Sequence, residues 1–345
     1  MSQHYAGLDV SLDAVHICVI DEVGAPVWRG QTSVCPDNIR DALHQHAPDL
    51  VQAGLETGQF APWLTLQLRK RKIPTVCLDA RHVYAAIKLQ RNKTDQGDAF
   101  CLAQIVRTGW YREVAVKSMD AHDLRSMLLA RSQLVSQRQT IANLIRGLLK
   151  THGHVVRRGC KGVFAVRVNA ALQDSPTLGA IIEPLLNAWQ ALREQIAVLE
   201  KRLVARARED AVARRLMTVP GIGPLVSLAF MSTVDDPTRF SSSADVGAYF
   251  GLTPKRWQSG EVDYQGKISR CGDAFMRGYL FEAAAVLMGR WCKPSALREW
   301  GERLAARSSL RKAKVALARK LAVLLHRLWV TGKEFNAYPI GALAG

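Results

Sequence analysis

Cysteine is scarce and poorly spaced for a structural role. The chain has seven, at Cys18, Cys35, Cys77, Cys101, Cys160, Cys271 and Cys292, an odd number with no C-x-x-C pair. That argues against a disulfide framework or a thiolate zinc site and points to a reducing compartment. Long apolar runs are missing as well. No stretch approaches the roughly 18 apolar residues of a spanning helix, so a membrane partner is not expected. The start, MSQHYAGLDV, lacks the basic-then-apolar pattern of a secretory leader. The expectation is a cytoplasmic, nucleoid-associated protein. Negative charge is the other deficit: 30 Asp and Glu stand against 47 Lys and Arg in 345 residues, a net charge of +17. An excess of that size points to a polyanionic partner.

Against this basic background, a few acids are conspicuous by position. Asp9 lies in GLDVSLD, Glu56 in GLETG, and Asp95 and Asp98 in NKTDQGDA. Residues 5–21 predict a strand pair turning near Asp9 to Asp13. Val27–Thr32 predicts a strand, 37–47 a helix, and Leu50–Leu55 a buried strand breaking into a loop at Glu56. Trp63 to Arg71 predicts an amphipathic helix ending in the basic run Arg69-Lys70-Arg71-Lys72, and Pro74–Leu78 another strand. Strands alternating with helices make an α/β unit. Thr94 is placed to cap a helix carrying Asp95 and Asp98 on one face. Four carboxylates from separate elements would suit Mg²⁺ or Mn²⁺, hard cations that take oxygen ligands. Each is equally readable as a surface acid, and Asp13, Asp21 and Asp79 nearby receive no role.

Beyond about residue 120 the strand pattern stops. Residues 121–150 predict a long helix, with Met127, Leu134, Ile141 and Leu148 seven apart. HVVRRGCKG, with Arg157 and Arg158, follows as a basic loop, and it and the run Arg69-Lys70-Arg71-Lys72 read, on charge alone, as candidate RNA or DNA backbone contacts. Leu178, Ile182, Leu185, Trp189, Leu192, Ile196, Leu199 and Leu203 then alternate four and three apart, a heptad seam. Pro184 lies inside it, where the helix starts or kinks. The seam pairs either with residues 121–150 or with a second chain. LMTVPGIGPLV resembles a helix-hairpin-helix, in which Gly221 and Gly223 would let backbone N–H groups approach a phosphate; a plain tight turn is the other reading. Residues 259–272 read as a polar, glycine-rich stretch before a helix at about 273–290. A last helix spans about 310–331, with Lys312, Arg319, Lys320 and Arg327 opposite its leucines, either a solvated face or a phosphate track. Tyr84, Trp110 and Tyr111 lie near basic residues and could stack on bases, while core packing is expected for at least two of them. His82, His122, His152 and His154 show no metal-ligand spacing.

Taken together, GLDVSLD, GLETG and NKTDQGDA resemble the DEDD signature of RuvC-like transposases. VPGIG, DPTRFSSSADVGAYFGLTPKRWQSG and GKISRCGDAFMRGYL resemble the carboxy-terminal domain of the same group. These are the insertion-sequence "one-ten" type transposases, related to the Piv-type DNA invertases. The resemblance covers nearly the whole chain, in order. It implies an α/β RNase-H/RuvC-like domain over residues 1–115, a helical coiled-coil domain over 116–212, and a mainly α transposase domain with a helix-hairpin-helix over 213–345. It implies Asp9, Glu56, Asp95 and Asp98 as metal ligands, and a catalytic serine that the GLTPxxxxSG stretch places at Ser259.

The resemblance further implies double-stranded donor and target DNA and a structured guide, or bridge, RNA as partners. It implies a homo-oligomer, a dimer that becomes a tetramer on synapsis, with the acids of one subunit facing the serine of another. A serine hydroxyl needs a base or a metal to become a nucleophile. Attack by Ser259 would leave a phosphoserine link to DNA, with Gly260 allowing close approach and Lys255 and Arg256 holding phosphates. Without the resemblance Ser259 competes with Ser269 and with Ser241, Ser242 and Ser243. The last three read as a helix cap. Ser269 with Arg270 reads as site lining or as plain loop. Three alternatives stay open: a two-metal nuclease or Holliday-junction resolvase without a serine nucleophile, a Piv-like invertase needing no RNA, and a non-catalytic nucleic-acid-binding protein.

Overall fold

The computed structural model describes residues 3–88, 94–157 and 163–338. They divide into two units, 1–119 and 120–345.

The first unit is built on one five-stranded sheet. Its elements are β1 (His4–Val10), β2 (Ala14–Ile20), β3 (Pro26–Ser33), α1 (Pro36–His46), β4 (Leu50–Glu56), α2 (Ala61–Lys70), β5 (Thr75–Leu78), α3 (Ala80–Ile87) and α4 (Asp95–Thr108). The strand order is β3-β2-β1-β4-β5. β1, β2 and β3 form an antiparallel meander, whereas β4 and β5 run parallel to β1. Side chains alternate along a strand, so each strand feeds two faces. Leu8 and Leu55 point into a core with Ile39 and Leu43 of α1 and Leu64 and Leu68 of α2. The opposite face receives α4.

Two glycines allow that docking. A Cβ built on Gly7 would stand 2.0 Å from the Ala99 carbonyl oxygen, and one on Gly54 would stand 2.3 Å from Val106 Cγ2. The α4 backbone therefore lies directly on β1, at a spacing that any larger residue would forbid. Thr94 caps the helix as the sequence predicts, with Gly97 N–H donating to its Oγ1 at 3.1 Å.

The second unit comprises α5 (Met119–Thr151), α6 (Val163–Ala171), α7 (Pro176–Glu209), α8 (Ala211–Leu216), α9 (Pro224–Val234), α10 (Ser243–Tyr249), β6 (Pro254–Ser259), β7 (Val262–Ile268), α11 (Ala274–Leu287), α12 (Ala296–Arg307) and α13 (Leu310–Thr331). The heptad seam turns out to serve an intramolecular pairing. Ile145 and Leu149 near the end of α5 pack with Leu178 and Ile182 near the start of α7. Leu128, early in α5, shares a core with Leu203, late in α7. The two helices are therefore antiparallel, and Arg131 bonds Glu200 between them. Only one row of the seam, Ile182, Trp189, Ile196 and Leu203, is fully buried; Leu185, Leu192 and Leu199 stay half-buried. Pro184 neither starts nor ends α7, which runs on from Pro176. On α5 the buried row is Leu128, Ala142, Ile145 and Leu149, offset from the seven-spaced row read in the sequence.

Residues of α5 and α7 share their core with α9, α11 and α13, so segments 116–212 and 213–345 are joined by one apolar cluster. Residues 254–268 form an antiparallel hairpin, β6–β7, whose second strand falls within the stretch read as polar and glycine-rich, and for which the sequence offered no strand. Both strands are almost wholly exposed. No face of the hairpin is buried, so no apolar alternation marks it. Among the described residues, no helix is long and apolar enough to cross a membrane.

Candidate active site

The acids gather where the sheet meets the start of α4. Gly7-Leu8-Asp9 and Gly54-Leu55-Glu56 sit side by side, with Gly7 paired to Gly54 and Leu8 to Leu55 in parallel register. Since residues i and i+2 share a face, the glycine of each tripeptide lies under α4 and the acid follows on the same side. Asp9 and Glu56 thus end adjacent strands on the face carrying α4. Asp95 and Asp98 occupy the first turn of that helix. Acids are favoured there, because the helix N-terminus carries partial positive charge.

Electrostatics registers the grouping. Burial, followed by the negative charges of Asp98, Asp95 and Glu56, pushes the Asp9 carboxyl up to about 6. Asp98 is buried, Asp9 half-buried, and Glu56 and Asp95 exposed. His16 is a participant that the motifs did not reveal. It is the cross-strand partner of Asp9, its Nε2 lies 3.5 Å from Asp95 Oδ2, and it is the one group drawing the Asp9 carboxyl back down. The tight β1–β2 turn was the available signal, since its register sets His16 opposite Asp9.

The bystander acids have structural duties. Asp79 caps α3 and pairs with Arg81, which holds its carboxyl down at about 2. Asp21 accepts from Val23 and Ala25 N–H in a turn.

The donor set fits a hard divalent cation. It is all oxygen, it is crowded enough for its charges to oppose ionisation, and it spans three elements. The side chains are near one another without being closed around a point. Among the described residues no group of three or more His, Cys, Asp or Glu is arranged to hold an ion.

Ser259 belongs to the other unit. It ends β6 and pairs with Val262 across the two-residue turn Gly260-Glu261. Gly260 has φ of +56°, the left-handed conformation that such hairpin turns assign to glycine. On the same face of the hairpin, Trp257 and Tyr264 stack at 5.1 Å, and Lys255 Nζ lies 5.9 Å from the Trp257 ring. Arg256 projects to the other face, where it bonds Asp263. Its guanidinium is committed to a carboxylate within the hairpin. Ser242 caps α10 through a capping box with Asp245, as the serine cluster suggested. Ser243 bonds His326 at 2.9 Å. Ser269 and Arg270 lie beyond β7, with Arg270 exposed at a φ of +56°.

The remaining basic candidates divide. Arg69 bonds Glu113 and the Thr75 carbonyl, and Arg71 grips Asp37 through two nitrogens. Both guanidiniums are therefore used within the fold, while Lys70 and Lys72 are exposed. Arg157 is exposed, and Arg158 lies outside the described residues. The close approach that Gly221 permits is to α11, not to solvent. A Cβ there would stand 2.5 Å from the Ala283 carbonyl oxygen, so its backbone is taken up by packing. Gly223 precedes α9 with open space around it. Tyr84 and Trp110 are exposed, against the expectation that two of the three aromatics pack in the core. Tyr111 alone is tucked in, its hydroxyl donating to Gln52 Oε1 at 2.9 Å.

Comparison with known proteins covers both sites. Residues 6–153 match the family of DEDD transposases of the IS110 type, and residues 213–300 match the family described as "Transposase IS116/IS110/IS902 family". The chain is 26% identical, over 97% of its length and 91% of the relative's, to the transposase for insertion sequence element IS1111A of Coxiella burnetii. It is 28% identical to a probable family 20 transposase of Pseudomonas aeruginosa, over 93% of this chain and 95% of that one. A transposase for insertion sequence element IS1328 of Yersinia enterocolitica is 27% identical over 72% of this chain and 75% of its own.

Proposed function

We propose a division of labour for this chain, which belongs to the IS116/IS110/IS902 family of insertion-sequence transposases and so cuts and rejoins DNA. Asp9, Glu56, Asp95 and Asp98 hold Mg²⁺ or Mn²⁺ in a RuvC-like, RNase-H-type domain, residues 1–115. The observation that carries this reading is the raised Asp9 carboxyl, which sits among three other acids brought from β4 and α4. A bound divalent ion would offset that repulsion, polarise a scissile phosphate and help generate the nucleophile.

Ser259 is the nucleophile of a transposase domain, residues 213–345. Its Oγ attacks a phosphorus of DNA. An Oγ–P ester forms, one P–O bond of the strand breaks, and the proton of the serine passes to the departing oxygen. One phosphodiester replaces another, so rejoining needs no ATP. The exposed hairpin tip supports this role, because a duplex can reach Ser259 without the core opening. Lys255, on the same face, is placed to hold a phosphate. The middle segment, residues 116–212, is the helical domain that bridges subunits.

A guide RNA, and assembly as a dimer that becomes a tetramer on synapsis, follow from the family resemblance. The net charge of +17 supports the first. RNA copurifying at moderate salt and having one defined sequence is the expected result. Its absence would favour an invertase-like reaction without RNA. High salt would strip a backbone-held RNA and must be avoided.

The second reading is a two-metal nuclease with a passive serine. It is favoured by one fact: among the described residues, no side chain hydrogen-bonds Ser259 Oγ to activate it. Titrating Mg²⁺ against DNA cleavage tests the acid site. Cleavage should vanish in EDTA, return with Mg²⁺ or Mn²⁺, and stay absent in Glu56→Ala. Metal-independent cutting would overturn the assignment.

A further inference from the structure

A basic groove that includes neither the acids nor the hairpin lies between α12 and α13. α12 sits close on α13 because residue 301 is glycine: a Cβ there would stand 2.5 Å from Leu317 Cδ1. The chain after α13 then folds back and ties down one end. Ala296 N–H donates to the Ala337 carbonyl at 3.0 Å, and Phe335 N–H donates to Thr218 Oγ1 at 3.0 Å. This leaves an open groove of about 640 Å³.

The lining is cationic and aromatic. Arg303 from α12 and Arg319, Lys320 and Arg327 from α13 line it, with no carboxylate among the lining residues. None of the four is in an ion pair among the described residues. The two acids of α12 are engaged elsewhere, Glu302 with Arg298 and Glu299 with the Tyr338 hydroxyl. Lys320 Nζ sits 4.0 Å from the centre of the Trp300 ring. Burial and the neighbouring charge of Arg303 push the Lys320 ammonium below its ordinary value. Four cations gathered without a counter-charge leave the groove short of an anion. Trp300 and Phe335 add the flat apolar surface that bases and sugars pack against. The volume suits one or two nucleotides, on the order of a drug-sized ligand, and not a duplex.

We propose that this groove binds the backbone of an unpaired nucleic-acid strand, with phosphates on Arg303, Arg319 and Arg327 and a base or sugar against Trp300 and Phe335. The site goes beyond the cutting chemistry and stands whether or not Ser259 or the acids act as assigned.

The test uses the full chain and fluorescence anisotropy with three probes: an oligo-dT and an oligo-U of about twelve nucleotides, and a mixed-sequence duplex. The variant Arg303→Gln/Arg319→Gln/Arg327→Gln is compared with Arg193→Gln/Arg202→Gln/Arg208→Gln on α7, which removes the same charge. The groove variant should bind at least one of the two single strands about tenfold more weakly than the control variant. The slope of log affinity against log salt should fall by about 2, or roughly 0.7 for each of three phosphates. Equal losses in the two variants would overturn the proposal. So would a loss confined to the duplex. The dT and U arms tell whether the strand is DNA or RNA. If the groove variant melts early, an iodouracil-substituted strand cross-linked to wild-type protein decides. Cross-links at Trp300 or Phe335 support the site, and cross-links found only elsewhere refute it.

Discussion

Asp9 and Ser259 are held in opposite ways. Asp9 is fixed by a central strand, crowded by three other carboxylates and roofed by a helix that two glycines admit. Ser259 ends an exposed strand beside a glycine turn, on a hairpin with almost no buried residue. The first has its backbone positions set by strand register and by α4, although its side chains are not closed around a point. The second presents its hydroxyl to solvent and gains surroundings only when DNA or another protein surface comes to it. Rigid elements give the position that metal chemistry needs, whereas an exposed tip gives reach. The same difference explains why substitutions at the two sites should fail in different ways.

The largest effect is expected at the acids. Asp9→Ala or Glu56→Ala should lower the cleavage rate about a thousandfold, as loss of transition-state charge stabilisation does. DNA binding measured by gel shift should stay within about threefold. Full activity in either variant would break the comparison, because it would make the crowded site a structural cluster.

Next is the glycine that admits α4. Gly7→Ala must push the helix backbone away, with an overpacking cost of about 1–3 kcal/mol. Denaturant melts should show that loss, together with weaker Mg²⁺ stimulation of cutting. Gly260→Ala on the hairpin has open space around it but holds alanine at a φ of +56°, a strain of about 1–2 kcal/mol, and should cost less than the displacement of α4 by Gly7→Ala. A reversed order would contradict the contrast between the sites.

The cap of α4 comes third. Thr94→Ala removes the bond to Gly97 N–H and should cost about 1 kcal/mol in the same melts. The smallest effect concerns pH. The folded Asp9 carboxyl is raised from 3.8 to about 6, so its neutral form is the favoured one. Its contribution to stability is therefore fully present below pH 3.8 and is lost as pH rises through about 6. In EDTA, Asp9→Asn should be the more stable protein above pH 6, with the advantage shrinking toward pH 4. After discounting for the half-exposed carboxyl, the gap should be about 1 kcal/mol or less. An advantage that grew toward acid pH would refute the cause assigned to the shift.

Much of the first unit is legible from periodicity. β1, β2, β3, β4, β5, α1 and α2 appear where apolar runs, alternation or a 3.6 period place them, and Thr94 announces α4. The elements that escaped have no strong buried stripe. β6 and β7 are solvated on both faces, and α12 buries only Gly301 completely. The four acids that the fold brings together stand out in the motifs, but His16 does not, because its place beside them depends on strand register and on where α4 lands. The repeated Gly-Leu-acid tripeptide carried that information in a form that only pairing reveals. Gly221 shows the converse. A glycine that reads as phosphate-binding was needed for helix packing, and sequence alone cannot tell one close approach from another.

We propose that the chain cuts DNA by joining itself to it through the exposed serine. End-labelled DNA incubated with protein and Mg²⁺, then resolved under denaturing conditions, tests it directly. Label should migrate with the protein, and after nuclease trimming and proteolysis the nucleotide should be found on Ser259. Both signals should disappear in Ser259→Ala. Free nicked DNA released by Ser259→Ala at the wild-type rate would contradict the claim and leave the acids as a nuclease complete in itself.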